Sequence, residues 1–208
     1  YTAFSPTMTS SPVAITGLIN GTSYSIKLRA VNSAGDGTES DAVTSTPAAT
    51  SNAPTALVAT PGDGKITVAF TAPTDTGGNA ITDYEYQLNG GTWTTASTTS
   101  SPVVITDLNN GTSYSIKLRA VNSAGVGAES DAVTSTPAAT SNAPTALVAT
   151  PGDGKITVAF TAPSNDGGAT ITNYEYSTDG GTSYTAFSPT MTSSPVAITG
   201  LINGTSYS

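Results

Sequence analysis

The 208-residue chain repeats itself almost letter for letter, at a spacing that does not divide its length. Residues 51–73 return unchanged as residues 141–163, 90 positions on. Residues 21–50 return at the same spacing as 111–140, with only Asp36 becoming Val126 and Thr38 becoming Ala128. Residues 1–25 reappear whole as 184–208, now 183 positions on. Two module types, one three residues longer than the other, therefore alternate. Self-similarity of this kind marks an array of identical structural units. Copying one module makes length, or many equal binding surfaces, and seldom makes a catalytic centre.

Composition points the same way. Six basic against fourteen acidic residues leave a net charge of −8, and charged residues are only 10% of the chain. Such a surface is repelled by phosphate backbones and anionic membranes, so neither nucleic acid nor membrane insertion is expected. Its coat must be largely Ser and Thr. With no Cys and no His, disulfides and the usual soft metal ligands are excluded, and the commonest general base is missing. No apolar run approaches the roughly 18 residues of a membrane span.

One module, residues 51–140, reads as short strands. Ile66, Val68 and Phe70 alternate with Thr67, Ala69 and Thr71. Tyr84, Tyr86 and Leu88 take one face of the next run, with Glu85 and Gln87 on the other. Val103 and Ile105 follow, then Tyr114, Ile116, Leu118 and Ala120. Period-two alternation bounded by Gly, Asn, Asp and Pro is the pattern of half-buried strands. The turns are Pro61-Gly62-Asp63-Gly64, Thr76-Gly77-Gly78-Asn79, Asn89-Gly90-Gly91 and Asn109-Asn110-Gly111. Seven strands in such a length, with no sustained helical period, predict an all-β fold of tandem seven-stranded antiparallel Greek-key β-sandwiches.

Placed residues add a family. Pro54 with Leu57, the Ile66/Val68/Phe70 strand, Asp83-Tyr84-Glu85-Tyr86, the stretch Leu108-Asn109-Asn110-Gly111-Thr112-Ser113-Tyr114, and Arg119-Ala120-Val121-Asn122-Ser123-Ala124-Gly125 together resemble the fibronectin type III, immunoglobulin-like, domain. Phe70 departs from the Trp usual in that family. The last string recurs at 29–35, and the leucine-to-tyrosine corner at 18–24 and 201–207. At such a corner a buried Tyr hydroxyl is expected to find a backbone carbonyl a few residues upstream, so that Tyr114→Phe costs roughly 1–3 kcal/mol.

The repeat sets the expected boundaries. Residues 1–50 are the C-terminal part of a module, 51–140 a complete one, and 141–208 the N-terminal part of another, stopping inside its sixth strand. The joints at 44–57 and 134–147 carry two prolines and no glycine each, which predicts short, stiff links and a beads-on-a-string rod. Two explanations of the part-modules stand. Either these residues are a window on a longer array, or chains complete one another's half-modules by donated strands. The 25-residue overlap weighs against donation, because it leaves duplicated strands without a slot.

Other candidate chemistry is thin. Asn20-Gly21-Thr22, Asn110-Gly111-Thr112 and Asn203-Gly204-Thr205 fit the N-glycosylation pattern, yet Asn-Gly is also what a tight turn wants. Asp36, Glu39 and Asp41 cluster three carboxylates in a loop, a composition that suits calcium, but the copy carries Val126 and the spacing is not an EF-hand. Asp83 with Glu85, and Glu129 with Asp131, are carboxylate pairs by spacing alone, expected on a solvated strand face rather than in a glycosidase cleft. Asp179-Gly180-Gly181 reads as a hairpin turn. Trp93, answered in the other module by Ser183 or Tyr184, is expected to fill the sandwich edge; an exposed ring would instead stack on a sugar.

No catalytic, cofactor-binding or metal-binding residue is therefore expected, and no cofactor. The expected function is a structural and adhesive stalk of an extracellular surface adhesin or filament. Its partners would be neighbouring modules, other copies in a filament, and a surface glycan or protein. The alternatives are spacer or accessory carbohydrate-binding modules of a secreted polysaccharide-degrading enzyme, and a strand-donating filament subunit.

Overall fold

The computed structural model describes residue 2 and residues 7–208, and every element among them is a strand. Residues 1 and 3–6, which open the part-module 1–50, lie outside the described residues. That part-module contributes β1 (Tyr24–Ile26), β2 (Arg29–Asn32), β3 (Gly35–Glu39) and β4 (Val43–Ser45). The middle module holds β5 (Thr55–Gly62), β6 (Lys65–Thr71), β7 (Ile81–Leu88), β8 (Trp93–Thr95), β9 (Val103–Ile105), β10 (Tyr114–Asn122), β11 (Gly125–Glu129) and β12 (Val133–Ser135). The last segment supplies β13 (Thr145–Gly152), β14 (Lys155–Thr161), β15 (Glu175–Tyr176), β16 (Thr185–Ala186) and β17 (Val196–Thr199).

The middle module is a sandwich of one sheet ordered β11-β10-β7-β8, with β12 also on β10, and a second ordered β5-β6-β9. On either side the order is fragmentary: β1-β4 and β2-β3 before it, β13-β14-β17 and β15-β16 after it. Neighbours decide strand length. β7 lies between β10 and β8 and runs eight residues, whereas its copy β15 has only β16 beside it and shrinks to two. The sixth strand expected to begin at Tyr207 does not form; residues 205–208 carry no strand.

Contacts gather into two compact units, residues 1–57, 70–103 and 117–132, and residues 58–69, 104–116 and 133–208. In the first, Phe70, Tyr84, Val103, Leu118 and Ala120 are the buried apolar set. The Phe70 ring meets Tyr84 edge-on at 4.6 Å between centroids. In the second, Ile66, Val68, Ile105 and Ile116 are buried, and Phe187, Val196 and Ile198 form a cluster lined by Phe160, Tyr174 and Met191. Ile66, Val68, Phe70, Val103, Ile105, Ile116, Leu118 and Ala120 are the inward members of the alternation in β6, β9 and β10.

Turn chemistry sets the register. Asn89 and Gly90 both adopt positive φ, 51° and 72°, as a two-residue hairpin demands, and Gly91 N donates to Leu88 O. Glu85 then faces Thr95 and Tyr86 faces Thr94, while in the longer module Glu175 faces Ala186 and Tyr176 faces Thr185. One of the three extra residues therefore sits in the turn, and Tyr184, not Ser183, occupies the place of Trp93. The other two fall between Phe187 and Met191, which hydrogen-bond as Ala96 and Thr98 do in the shorter module.

The seventh strand is broken. β11 pairs with the second half of β10 and β12 with the first, leaving residues 130–132 between them. Ser130 holds the break: its N–H donates to Leu118 O, its hydroxyl accepts from Leu118 N at 2.9 Å, and the same hydroxyl donates to Asp131 O.

Candidate functional site: the joints between modules

The two-proline segments expected to be stiff links are tied by hydrogen bonds at both ends. Pro47 O accepts from Gly21 N at 2.9 Å, on the corner of the module that is ending. Two residues on, Ala49 N donates to Gly77 O at 2.8 Å, in the loop after β6 of the module that is beginning. Asn122, only 4% exposed, then spans the gap: its Nδ2 donates to Ala49 O at 2.9 Å and to Thr76 O at 2.8 Å. Its Oδ1 accepts from Ala124 N, so donors and acceptor are all engaged. Asn52 N to Asp75 O and Ala128 N to Ser51 O complete the belt.

Glycine is required at the contact itself. Gly77 and Gly78 have φ of 69° and 82°, and a Cβ on either would stand within 3.0 Å of backbone, Ala49 for the first and the Asn20-Gly21 peptide for the second. The second joint repeats the arrangement within its own unit. Gly111 N donates to Pro137 O and Ala139 N to Gly167 O, both at 2.8 Å. A Cβ on Gly168 would fall within 3.0 Å of Gly111 N.

The residues singled out in the sequence have other duties. Asn110 Oδ1 accepts from Gly64 N at 2.9 Å and its Nδ2 donates to Asp63, which fixes two turns to each other. Asn203 does the same with Gly154 and Asp153. Asp36 pairs with Arg29 at 2.7 Å and Glu39 with Lys27 at 3.1 Å, so the clustered carboxylates diverge to separate cations. No group of three His, Cys, Asp or Glu among the described residues is placed to hold a metal.

The carboxylate pairs depart from expectation. Asp83 lies half-buried on the outer face with Glu85, but its carboxylate is engaged: Oδ1 accepts from Tyr84 N and Thr98 N at 2.8 and 3.0 Å, and Oδ2 takes the Thr95 hydroxyl. Asn173 holds the same two amides in the other module, Tyr174 N and Met191 N, and a carboxamide cannot act as an acid. The position anchors the loop after β8. Glu85 likewise is engaged, by Arg119 Nη2 at 2.6 Å and Nε at 2.7 Å. Glu129 pairs with Lys117, and Asp131 lies in the break between β11 and β12 rather than beside it on a strand.

Trp93 neither fills the core nor stands bare. It is half-buried on the outer side of the sheet, with the Arg119 guanidinium carbon 4.2 Å from its ring centroid. The tyrosine corners correct the expected polarity. At Tyr114 the hydroxyl accepts from Asn109 N at 3.1 Å instead of donating to a carbonyl, and Tyr24 and Tyr207 repeat this with Ile19 and Ile202. Tyr114 is half-buried, so less is lost with its hydroxyl than at a fully buried site.

The shallow groove beside Asp83, lined by Thr82, Thr95, Ser97 and Thr98, is all hydroxyls around a carboxylate already saturated by donors. Nothing there offers a nucleophile with its base.

Residues 52–136 match the fibronectin type III domain model. Endoglucanase B of Cellulomonas fimi is 35% identical over 150 residues, which are 65% of this chain but 14% of that protein's length. Among solved structures, the FN1-FN3 domains of chicken CNTN1 cover 88% of this chain and 67% of their own, at 19% identity and a TM-score of 0.42. A crystal structure of three titin domains aligns over 46% of this chain and 36% of its own, at 20% identity and a TM-score of 0.40. Residues 52–136 are therefore a fibronectin type III domain, and residues 21–50 and 141–163 repeat parts of that module almost verbatim.

Proposed function

We propose that these modules are a non-catalytic structural and adhesive array, the stalk of an extracellular surface adhesin or filament. The repeated joint carries the reading. Two linkers of identical sequence, at residues 47–52 and 137–142, are tied down by the same backbone bonds, which is what serial extension of a chain needs. Module boundaries at residues 50/51 and 140/141 follow from the same pattern. The hydroxyl-rich, acidic surface favours an exterior location and keeps near-identical copies in solution. Neighbouring modules are the partners of each joint; a glycan or protein ligand is a further partner of the array.

A second reading has one observation in its favour, the 150-residue similarity to an endoglucanase. In that reading the modules are spacers or accessory carbohydrate-binding units of a secreted polysaccharide-degrading enzyme. Isolation of the native protein from its source decides between them. A mass of hundreds of kilodaltons made mostly of modules, exposed to protease on intact cells, supports the stalk. A few modules joined to a domain that hydrolyses polysaccharide overturns it.

A further inference from the structure

We propose that the Asn-Gly corner of each module is a docking seat for the Gly-Gly loop of the next, closed at the first joint by Asn122 at the end of β10. This rests on the joint geometry alone and not on the stalk reading, so either can fail without the other.

The seat is seen twice, with different residues around it. At the first joint the corner Leu18-Ile19-Asn20-Gly21 receives the loop Asp75-Thr76-Gly77-Gly78. At the second, the corner Leu108-Asn109-Asn110-Gly111 receives Asn165-Asp166-Gly167-Gly168. Corners and loops differ in sequence, and each corner type accepts the other type's loop. What stays is Asn-Gly on one side and Gly-Gly on the other. Each contact is backbone against backbone, so any side chain at Gly78 or Gly168 collides.

The loops are shaped before they dock. Gly77 N donates to Asp75 Oδ1 and Gly167 N to Asn165 Oδ1, both at 2.8 Å. Positive φ at both glycines of each loop then presents carbonyls 77 and 167 to the incoming Ala49 and Ala139 amides. A preformed loop loses little freedom on docking, which favours the closed joint.

Asn122 is the clasp of the first joint. Its two carbonyl partners lie on opposite sides of the seam, Ala49 in the connecting segment and Thr76 in the loop. Its copy Asn32 makes the same local bond, accepting from Ala34 N at 2.9 Å as Asn122 does from Ala124 N.

Amide hydrogen exchange in the full 208-residue chain tests the seat. Gly78→Ala should raise exchange at Ala49 at least tenfold and leave Ala139 unchanged; Gly168→Ala should do the reverse. Asn122→Asp keeps the acceptor for Ala124 N but turns an oxygen toward two carbonyls, and should open Ala49 alone. Gly90→Ala is the control, since Gly90 also has positive φ, 72°, while a Cβ there meets nothing within 4 Å. It should strain its own hairpin and leave both joint amides protected. Unchanged exchange at Ala49 in both Gly78→Ala and Asn122→Asp overturns the proposal. So does loss of protection at both joints in the Gly90→Ala control.

Discussion

The Arg119 guanidinium caps the Trp93 ring at 4.2 Å while holding Glu85 through two of its nitrogens. One cation thus ties β10 to both β7 and β8 on the outer side of the sheet. Trp93→Ala should cost about 0.5–1 kcal/mol from the lost cation–π contact, beyond the ring's packing, read from the urea midpoint. Retention on glycan columns should not change. Lost retention in a variant with an unaltered midpoint would restore the sugar-stacking role.

Tyr114→Phe should cost about 1 kcal/mol, because Asn109 N loses its acceptor at a position water can reach. Equilibrium unfolding of the full chain measures it. A loss of 3 kcal/mol would mean a more deeply buried hydroxyl than the structure shows.

Asp83→Asn should be nearly neutral, since Asn173 already performs the same duty in the sister module. Asp83→Ala leaves Tyr84 N and Thr98 N without their side-chain acceptor and should cost about 1–3 kcal/mol. Equal losses in the two variants would refute the anchoring role.

Identical strings in different surroundings give an internal control. Leu118 is fully buried, and Leu118→Ala should cost about 2–5 kcal/mol. Leu28, its copy, is 46% exposed, and Leu28→Ala should stay within about 0.5 kcal/mol. Similar destabilisation at both positions, measured by thermal unfolding, would show that Leu28 is covered in solution.

Asp179 offers a pH test. Hydrogen bonds from the Ser183 hydroxyl, the Ser177 hydroxyl and the Ser183 and Thr182 amides hold its carboxyl far below the ordinary 3.8. The unfolded chain takes up the proton first. The turn's contribution is therefore complete above pH 3.8 and fades as pH falls below it. The Thr182 and Ser183 amide shifts should titrate with a midpoint beneath 3.8; a midpoint at or above it refutes the network.

Much of this architecture can be read from the letters. The alternation of Ile66, Val68 and Phe70 places β6, and that of Tyr84, Tyr86 and Leu88 against Glu85 and Gln87 is observed as β7. Long-range polar bonds could not be read. A hydroxyl both donates and accepts, so nothing in the corner string says that Tyr114 receives a proton from Asn109. Ser130 breaks the last strand through Leu118, twelve positions away, and looks like any other surface serine. Gly77-Gly78 reads as an ordinary turn until Ala49 lies against it. Asp83 reads as solvated because its partners are backbone amides, which carry no sequence signature.

The broken seventh strand has a consequence for molecules made of near-copies. Modules strung on one chain meet their twins at high local concentration, and an open sheet edge invites a twin's strand to add on. In the middle module β8, β9 and β12 run three residues each and β11 five, too few for a lasting foreign ladder. The eight-residue edge strand β5 carries Pro61 and turns through a positive φ of 52° at Ala56, which spoils its straight run of donors. Such edges give a twin's strand little to add on to, which guards copies duplicated along one chain against sheet-to-sheet association.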